Sequence, residues 1–152
     1  MSYPKKIIAK LNTSQTLLGL DFGDKTIGIA VSDKSNTIAT PIKTIQRKSV
    51  NIDINEIFKL VEEYNVGGLV FGLPLSLDGN ENERTLKIRK FIKEIEISKK
   101  IIVALYDERY SYDIVFKTMR TDSKSIKQIK KKIDQQAASY ILQGFLDNAK
   151  FN

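Results

Sequence analysis

Leu17-Leu18-Gly19-Leu20-Asp21-Phe22-Gly23-Asp24-Lys25-Thr26-Ile27-Gly28-Ile29-Ala30-Val31-Ser32 is the stretch from which the rest of the chain is read. An apolar run ends at Asp21, a short turn carrying Gly23 follows, and a second run rich in β-branched residues leaves it, which is the pattern of a β-hairpin. Asp21 sits where the first strand runs out, so a rigid element holds a carboxylate that can still face solvent or a metal. Gly23 and Gly28 remove side chains beside it, permitting positive φ at the turn or close approach of another backbone.

Outward from the hairpin, residues 1–15 read as a polar, irregular and loosely attached arm, and residues 16–152 as a single domain. After a turn at Ser32–Asn36, Thr37 to Ile45 forms a third strand, with Pro41 marking an edge or a bulge. Ile54, Ile57, Phe58, Val61 and Tyr64 recur at helical spacing within Val50 to Tyr64, which predicts an amphipathic helix packed on the sheet. Gly67 to Gly72 then reads as a buried strand reached by a crossover, so the sheet turns parallel here. The Leu73–Gly79 loop leads to a helix that starts near Asn80 and Glu83 and runs to about Ile97. Ile101 to Tyr106 is another strand, ending at Asp107-Glu108-Arg109. A short helix over Tyr110 to Met119, a Lys-rich stretch over Thr121 to Lys132 and a strongly periodic helix over Ile133 to Ala149 complete the chain. The fold class is α/β: a mixed sheet whose three-strand meander is followed by parallel strands with flanking helices.

Composition narrows the chemistry. The 152 residues include no Cys and no His, which removes disulfides, thiol chemistry, the commonest zinc ligand and the usual general base. A site in this chain is built from carboxylates, hydroxyls, Lys and Arg. Twenty-five basic residues against eighteen acidic ones give a net charge of +7, which favours a polyanionic partner, nucleic acid first. No apolar run reaches the length that spans a bilayer, and Met1 to Lys10 lacks the features of a secretory signal, so a cytoplasmic location is expected. Glycines 19, 23 and 28 do not fit a dinucleotide fingerprint, and the chain has no phosphate-loop motif.

Acids collect at strand ends. Asp21 and the Asp107/Glu108 pair both stand at carboxyl ends, where open α/β sheets bind ligands. Asp134 shares a stripe with Ala138, Ile141 and Phe145, residues expected to face the sheet. Each has a plainer reading: a turn residue for Asp24 and less so for Asp21, a local ion pair with Arg109 for Asp107 and Glu108, a helix N-cap for Asp134. Taken together they repel unless a cation compensates them. Mg²⁺ or Mn²⁺, as a pair of ions, takes oxygen ligands and suits phosphate chemistry without His or Cys. Lys124, Lys127, Lys130, Lys131 and Lys132 precede Asp134 and could hold a phosphodiester backbone or form a solvated loop. Lys25, Arg84, Lys87 and Arg109 are further phosphate-contact candidates. Tyr110 and Tyr112 could stack on bases or pack in the core.

These motifs resemble the bacterial YqgF/RuvX family, RNase H-like proteins described as Holliday junction resolvases or pre-16S rRNA nucleases. The resemblance runs from about Thr16 to Leu146, through Asp21 to Ala30, Gly72-Leu73-Pro74 with Gly79, Asp107-Glu108-Arg109, and Lys132-Ile133-Asp134 with Ala137-Ala138. It implies an RNase H-like fold and metal-dependent phosphodiester cleavage, with Asp21, Asp134 and one acid of the Asp107–Glu108 pair, Glu108 favoured, as metal ligands. Nucleic-acid contacts are expected from Lys25, Arg84, Arg109 and Lys130 to Lys132 on the ground of their charge, and from Ser111, which keeps one of the family's hydroxyls. Tyr110-Ser111-Tyr112 departs from the family, which more often has Leu and two hydroxyl residues there. The strand ending at Gly72 carries no acid, unlike RuvC, a more distant relative of the family. The resulting expectation is an endonuclease acting on ribosomal RNA precursor during ribosome biogenesis, as a monomer or homodimer. The alternatives are a branched-DNA junction resolvase, for which a two-fold dimer is favoured, and a non-catalytic ribosome-assembly factor that binds nucleic acid.

Overall fold

The computed structural model describes residues 2–108 and 126–151, with 126–135 described as helical backbone alone. Its elements are α1 (Tyr3–Ala9), β1 (Thr16–Phe22), β2 (Thr26–Ser32), β3 (Ala39–Gln46), α2 (Val50–Glu63), β4 (Val66–Leu73), α3 (Glu83–Ser98), β5 (Ile102–Asp107) and α4 (Ile126–Phe151). The strands form one sheet in the order β3-β2-β1-β4-β5. β1 pairs antiparallel with β2, and β2 with β3, while β4 runs parallel to both β1 and β5. This is the meander followed by parallel strands that the hydrophobic pattern predicts.

The period-two alternation of the strands sorts the core into two layers. Leu18, Leu20, Ile27, Ile29, Leu69 and Phe71 pack with Ile54, Ile57, Ile88, Phe91 and Ile95 beneath α2 and α3. On the other face Leu17, Ala30, Val70 and Ala104 meet Ala138, Ile141, Leu142 and Phe145 of α4, together with Ile7 of α1. Burying both faces explains why β1 and β4 read as near-continuous apolar runs. Small residues set the spacing: a Cβ on Gly19 would lie 2.6 Å from Leu142 Cβ, so β1 and α4 approach closely only because position 19 is bare.

Three expectations are corrected. Residues 1–15 are not an irregular arm throughout, because Ser2 caps a helix over Tyr3–Ala9 whose Ile7 is buried against α4. The polar composition hid a single turn-spaced apolar face. α3 starts at Glu83 with Asn82, not Asn80, as its N-cap: Asn82 accepts from Thr85 N at 3.1 Å while its own N–H donates to Thr85 Oγ1 at 2.8 Å. Asn80 instead belongs to the preceding turn, where its N–H donates to Asp78 Oδ1. α4 begins at Ile126 rather than Ile133, so Lys127 and Lys130 to Lys132 lie on a helix and not in a loop. The anticipated helix over Tyr110 to Met119 lies outside the described residues. Among the described residues, no helix is long and apolar enough to cross a membrane.

Candidate active site

Two of the sequence-selected carboxylates meet. β1 alternation turns Leu18, Leu20 and Phe22 toward α2 and α3, and Asp21 to the α4 face. On β5 the same alternation gives Val103 and Leu105 to the α2–α3 side and Ala104 and Tyr106 to the α4 side. Asp107 therefore follows Val103 and Leu105, whereas Glu108, just past the strand, returns to the face of Asp21. Glu108 is 3% exposed and its side chain hydrogen-bonds that of Asp21. The geometry brings Glu108, not Asp107, to Asp21.

β4 lies between these two residues in the sheet, and its residue at that level is Gly72, paired with Tyr106. A Cβ on Gly72 would stand 2.5 Å from Glu108 Oε1, 2.8 Å from its Cγ and 2.5 Å from Ile141 Cδ1. Glu108 thus reaches Asp21 across a strand that carries no side chain there. Gly28 on β2, paired with Asp21, leaves room on the opposite side, where a Cβ would make ordinary 3.6 Å contacts with Asp21 Cβ and Ala138 Cβ. Neither Gly23 nor Gly28 has positive φ, a backbone conformation found among the glycines only at Gly79 within the described residues. Close approach is the reason at Gly23 alone, where a Cβ would lie 3.0 Å from Thr26 O, and the turn is closed by Gly23 N–H donating to that oxygen at 2.8 Å.

The electrostatics follow from this crowding. Burial, and then the neighbouring Asp21 charge, push the Glu108 carboxyl from an ordinary value near 4.5 up to about 7. Arg84, exposed near the start of α3, pulls the other way, and the Asp21 hydrogen bond and the Asp107 charge add to the rise. Two acidic groups in contact, one buried and one half-buried, hold a proton where a cation would otherwise neutralise them. The donors are oxygen only, the set that hard divalent ions prefer. These residues therefore fit Mg²⁺ or Mn²⁺, although no group of three or more acidic side chains forms among the described residues.

Asp134 is the ninth residue of α4, counting from Ile126. That position rules out its reading as an N-cap. It stands one turn before Ala138, which faces Gly28 and Asp21, but its side chain lies outside the described residues, as do those of Lys130 to Lys132. Arg109 and Ser111 also fall outside them, with Tyr110 and Tyr112. Lys25 is exposed at the hairpin tip, and Arg84 stands close enough to Glu108 to act on it.

Sequence reasoning missed several neighbours of Asp21. A small cavity of about 170 Å³ beside it is lined by Lys43 and Thr44 of β3 and by Gln136 of α4. Thr44 reaches this place because it pairs with Gly28 in the sheet, a register that the sequence pattern of an edge strand does not fix. Gly72 was legible as a motif residue, but not as the opening through which Glu108 passes.

The comparisons with known proteins follow the same lines. A protein of Paramagnetospirillum magneticum named "Putative pre-16S rRNA nuclease" is 43% identical over 145 residues, covering 95% of this chain and 94% of its own. One of the same name from Ruegeria pomeroyi is 37% identical over 146 residues, covering 96% and 95%. In structure the chain is similar to T. thermophilus RuvC in complex with a Holliday junction substrate, with a TM-score of 0.56, 11% identity and coverage of 88% and 95%. It is also similar to the yeast mitochondrial Holliday junction resolvase Ydc2, with a TM-score of 0.57, 11% identity and coverage of 97% and 84%. At that identity the two structures establish a shared RuvC-like, RNase H-like fold. The family described as "RuvX: Holliday junction resolvase" matches residues 15–148, and with relatives of this similarity along nearly its whole length the chain belongs to the RuvX family.

Proposed function

We propose that the protein is a divalent-metal-dependent endonuclease that hydrolyses phosphodiester bonds in precursor 16S rRNA. The observation that carries this reading is the meeting of Asp21 and Glu108 across Gly72, a half-buried and a buried carboxylate side by side on a basic chain that has neither His nor Cys. Asp21 and Glu108, joined by Asp134 from α4, would hold Mg²⁺ or Mn²⁺. Such ions, when bound, supply the Lewis acidity that activates water and stabilises the leaving oxygen.

The chain's own residues account for the remaining requirements. Asp21, on a central strand, and Glu108, pinned against Ile141 and β4, form a stiff negative centre whose geometry the sheet sets. Asp107, outside that centre, adds negative charge behind it. Arg84 and Lys25 would receive phosphate oxygens, and Lys130, Lys131 and Lys132 of α4, with Arg109 and Ser111 after Glu108 in the sequence, would supply further contacts. Water is the nucleophile, and no covalent intermediate is involved. The names of the curated relatives support rRNA as the substrate.

A second reading, cleavage of branched DNA, is favoured by the family description. One assay addresses both: matched precursor rRNA and four-way DNA junctions, with Mg²⁺ or Mn²⁺, comparing wild type with Asp21→Asn. RNA cleavage that the variant loses supports the first reading. Junction cleavage that the variant loses moves the assignment to the resolvase. Binding without cleavage of either substrate leaves a non-catalytic assembly factor.

A further inference from the structure

The carboxylate pair leaves the other side of the hairpin unused. Alternation at the end of β1 puts Asp21 on the α4 face and Phe22 on the α2–α3 face, where a cavity of about 490 Å³ opens beside the hairpin tip. That is within the size range of small-ligand pockets, about 300 to 1,000 Å³. Its apolar wall is formed by Phe22, Phe91 and Val50, and its rim carries Arg47, Lys87 and Lys90 together with Asp24 and Glu94.

The wall is stiff. Phe22 stacks on Phe91 with ring centroids 4.5 Å apart, and the Arg47 guanidinium covers Phe22 at 4.3 Å. The rim is mixed in charge, cations three to two, and adaptable. Lys87 contacts Asp24 at 3.3 Å, yet their side chains are 60% and 78% exposed. An exposed pair of this kind contributes little and can exchange one anion for another. Arg84, one turn before Lys87, acts on Glu108, and Lys90 follows one turn later. Residues three apart on a helix are neighbours, so Arg84, Lys87 and Lys90 connect the carboxylates to the cavity.

A floor of apolar rings beneath a rim with an excess of cations, joined by Arg84 to the proposed phosphodiester-cleaving centre, fits a ligand that carries an anion and a flat apolar body in one unit. We propose that this cavity binds a nucleotide flanking the scissile phosphate, its phosphate on Lys87 and Lys90 and its base against Val50 and the edges of Phe22 and Phe91. Asp24 and Glu94, at the same rim, oppose the phosphate and limit affinity. The proposal rests on the nuclease reading, since it needs a nucleic-acid strand at Asp21.

The test measures binding of a fluorescent RNA hairpin with single-stranded flanks to the full chain in EDTA, over a range of salt. Lys87→Ala with Lys90→Ala is expected to weaken binding by about tenfold and to flatten the salt slope by about one to two. Lys87→Arg with Lys90→Arg should restore both. Val50→Trp, which fills the cavity, should weaken binding without altering the slope, and Asp24→Asn should strengthen it. Adenosine 5′-monophosphate should shift the Val50 methyl resonances of the wild type. Matching thermal melts establish that the variants are folded. Wild-type binding that all these variants leave unchanged, with no methyl shift, overturns the subsite and leaves the nuclease reading standing. A wild type that binds neither RNA nor branched DNA removes both.

Discussion

Glu108 reaches Asp21 over Gly72: the missing Cβ of Gly72 would sit 2.5 Å from Glu108 Oε1, and the Glu108 side chain crosses β4 through that opening to hydrogen-bond Asp21. Gly72→Ala tests the relationship directly. Because Gly72 does not have positive φ, alanine suits its backbone, and the added methyl acts through Glu108 and through Ile141, also 2.5 Å away. Misplacing a reacting group by about 1 Å can cost about a hundredfold in rate. We expect Gly72→Ala to lose about that factor in kcat, with KM little changed and Mn²⁺ binding weakened in calorimetry. A variant with wild-type kcat and metal affinity would show that Glu108 does not depend on the opening.

The Glu108 carboxyl also makes stability depend on pH. Its native value, near 7, lies above the ordinary 4.5, so between these values the folded protein keeps a proton that the unfolded chain has released. Stability from this source is complete below about pH 4.5, declines as pH rises, and is lost above about 7. In metal-free protein the loss should be on the order of 3 kcal/mol, read as a lower urea midpoint at pH 8 than at pH 5. Glu108→Gln should flatten that difference. Divalent-ion affinity should run the other way and rise through pH 7, because the ion must displace the proton. A pH-independent affinity would remove Glu108 from the ligand set.

How much of this was legible in the sequence depends on the range of the interaction that decides it. The hairpin around Asp21, the amphipathic α2 and the parallel β4 follow from periodicity, which is local. The choice between Asp107 and Glu108 needed the strand to be placed: its alternation gives one face to Val103 and Leu105 and the other to Tyr106, and its end then decides where each acid points. The role of Gly72 required β4 to lie between β1 and β5, a matter of strand order. α1 was missed because only Ile7 and Pro4 of its seven residues are buried, too few to outweigh the lysines around them. The α4 start was placed late because the lysines around Ile126, Ile129 and Ile133 made the segment read as a polar stretch, although those three isoleucines stand at helical spacing.

The N-terminal helix should therefore contribute to stability although it is distant from Asp21. Ile7 is 5% exposed within the α4 core layer. Tyr3 packs edge-on against Phe145 with centroids 6.4 Å apart, and its hydroxyl accepts from Leu105 N of the edge strand at 3.4 Å. Truncating a buried Ile to Ala typically costs about 2 to 5 kcal/mol. Ile7→Ala is expected at the low end, since the helix is short and can settle, and to leave kcat nearly unchanged. A thermal midpoint equal to wild type would return residues 1–15 to the loosely attached arm that their composition suggests.

The turn after Asp21 is held from behind by Arg47. Its Nη1 donates to Gly23 O at 3.1 Å and to Asp24 O at 3.4 Å, while Nε donates to Asp53 Oδ2 at 3.4 Å. Asp53 is 1% exposed and also accepts from Lys48 N at 3.0 Å. Arg47 lies over Phe22, the residue next to Asp21, so one guanidinium joins the Asp21 hairpin to the first turn of α2. Removing one partner of a buried ion pair costs about 3 to 5 kcal/mol because the other charge is left uncompensated. The partial exposure of Arg47, and the backbone donor that Asp53 retains, put Arg47→Ala at or below the lower end of that range. Asp53→Asn should cost less, because the amide oxygen can still accept from Lys48 N. Arg47→Lys keeps the charge but not the planar fork that serves two carbonyls and a carboxylate at once, so it should recover only part of the stability. Urea unfolding of the three variants checks the order: Arg47→Ala least stable, then Arg47→Lys and Asp53→Asn, then wild type. Equal midpoints for Arg47→Ala and wild type would show that Gly23 N–H donating to Thr26 O is enough to hold the turn.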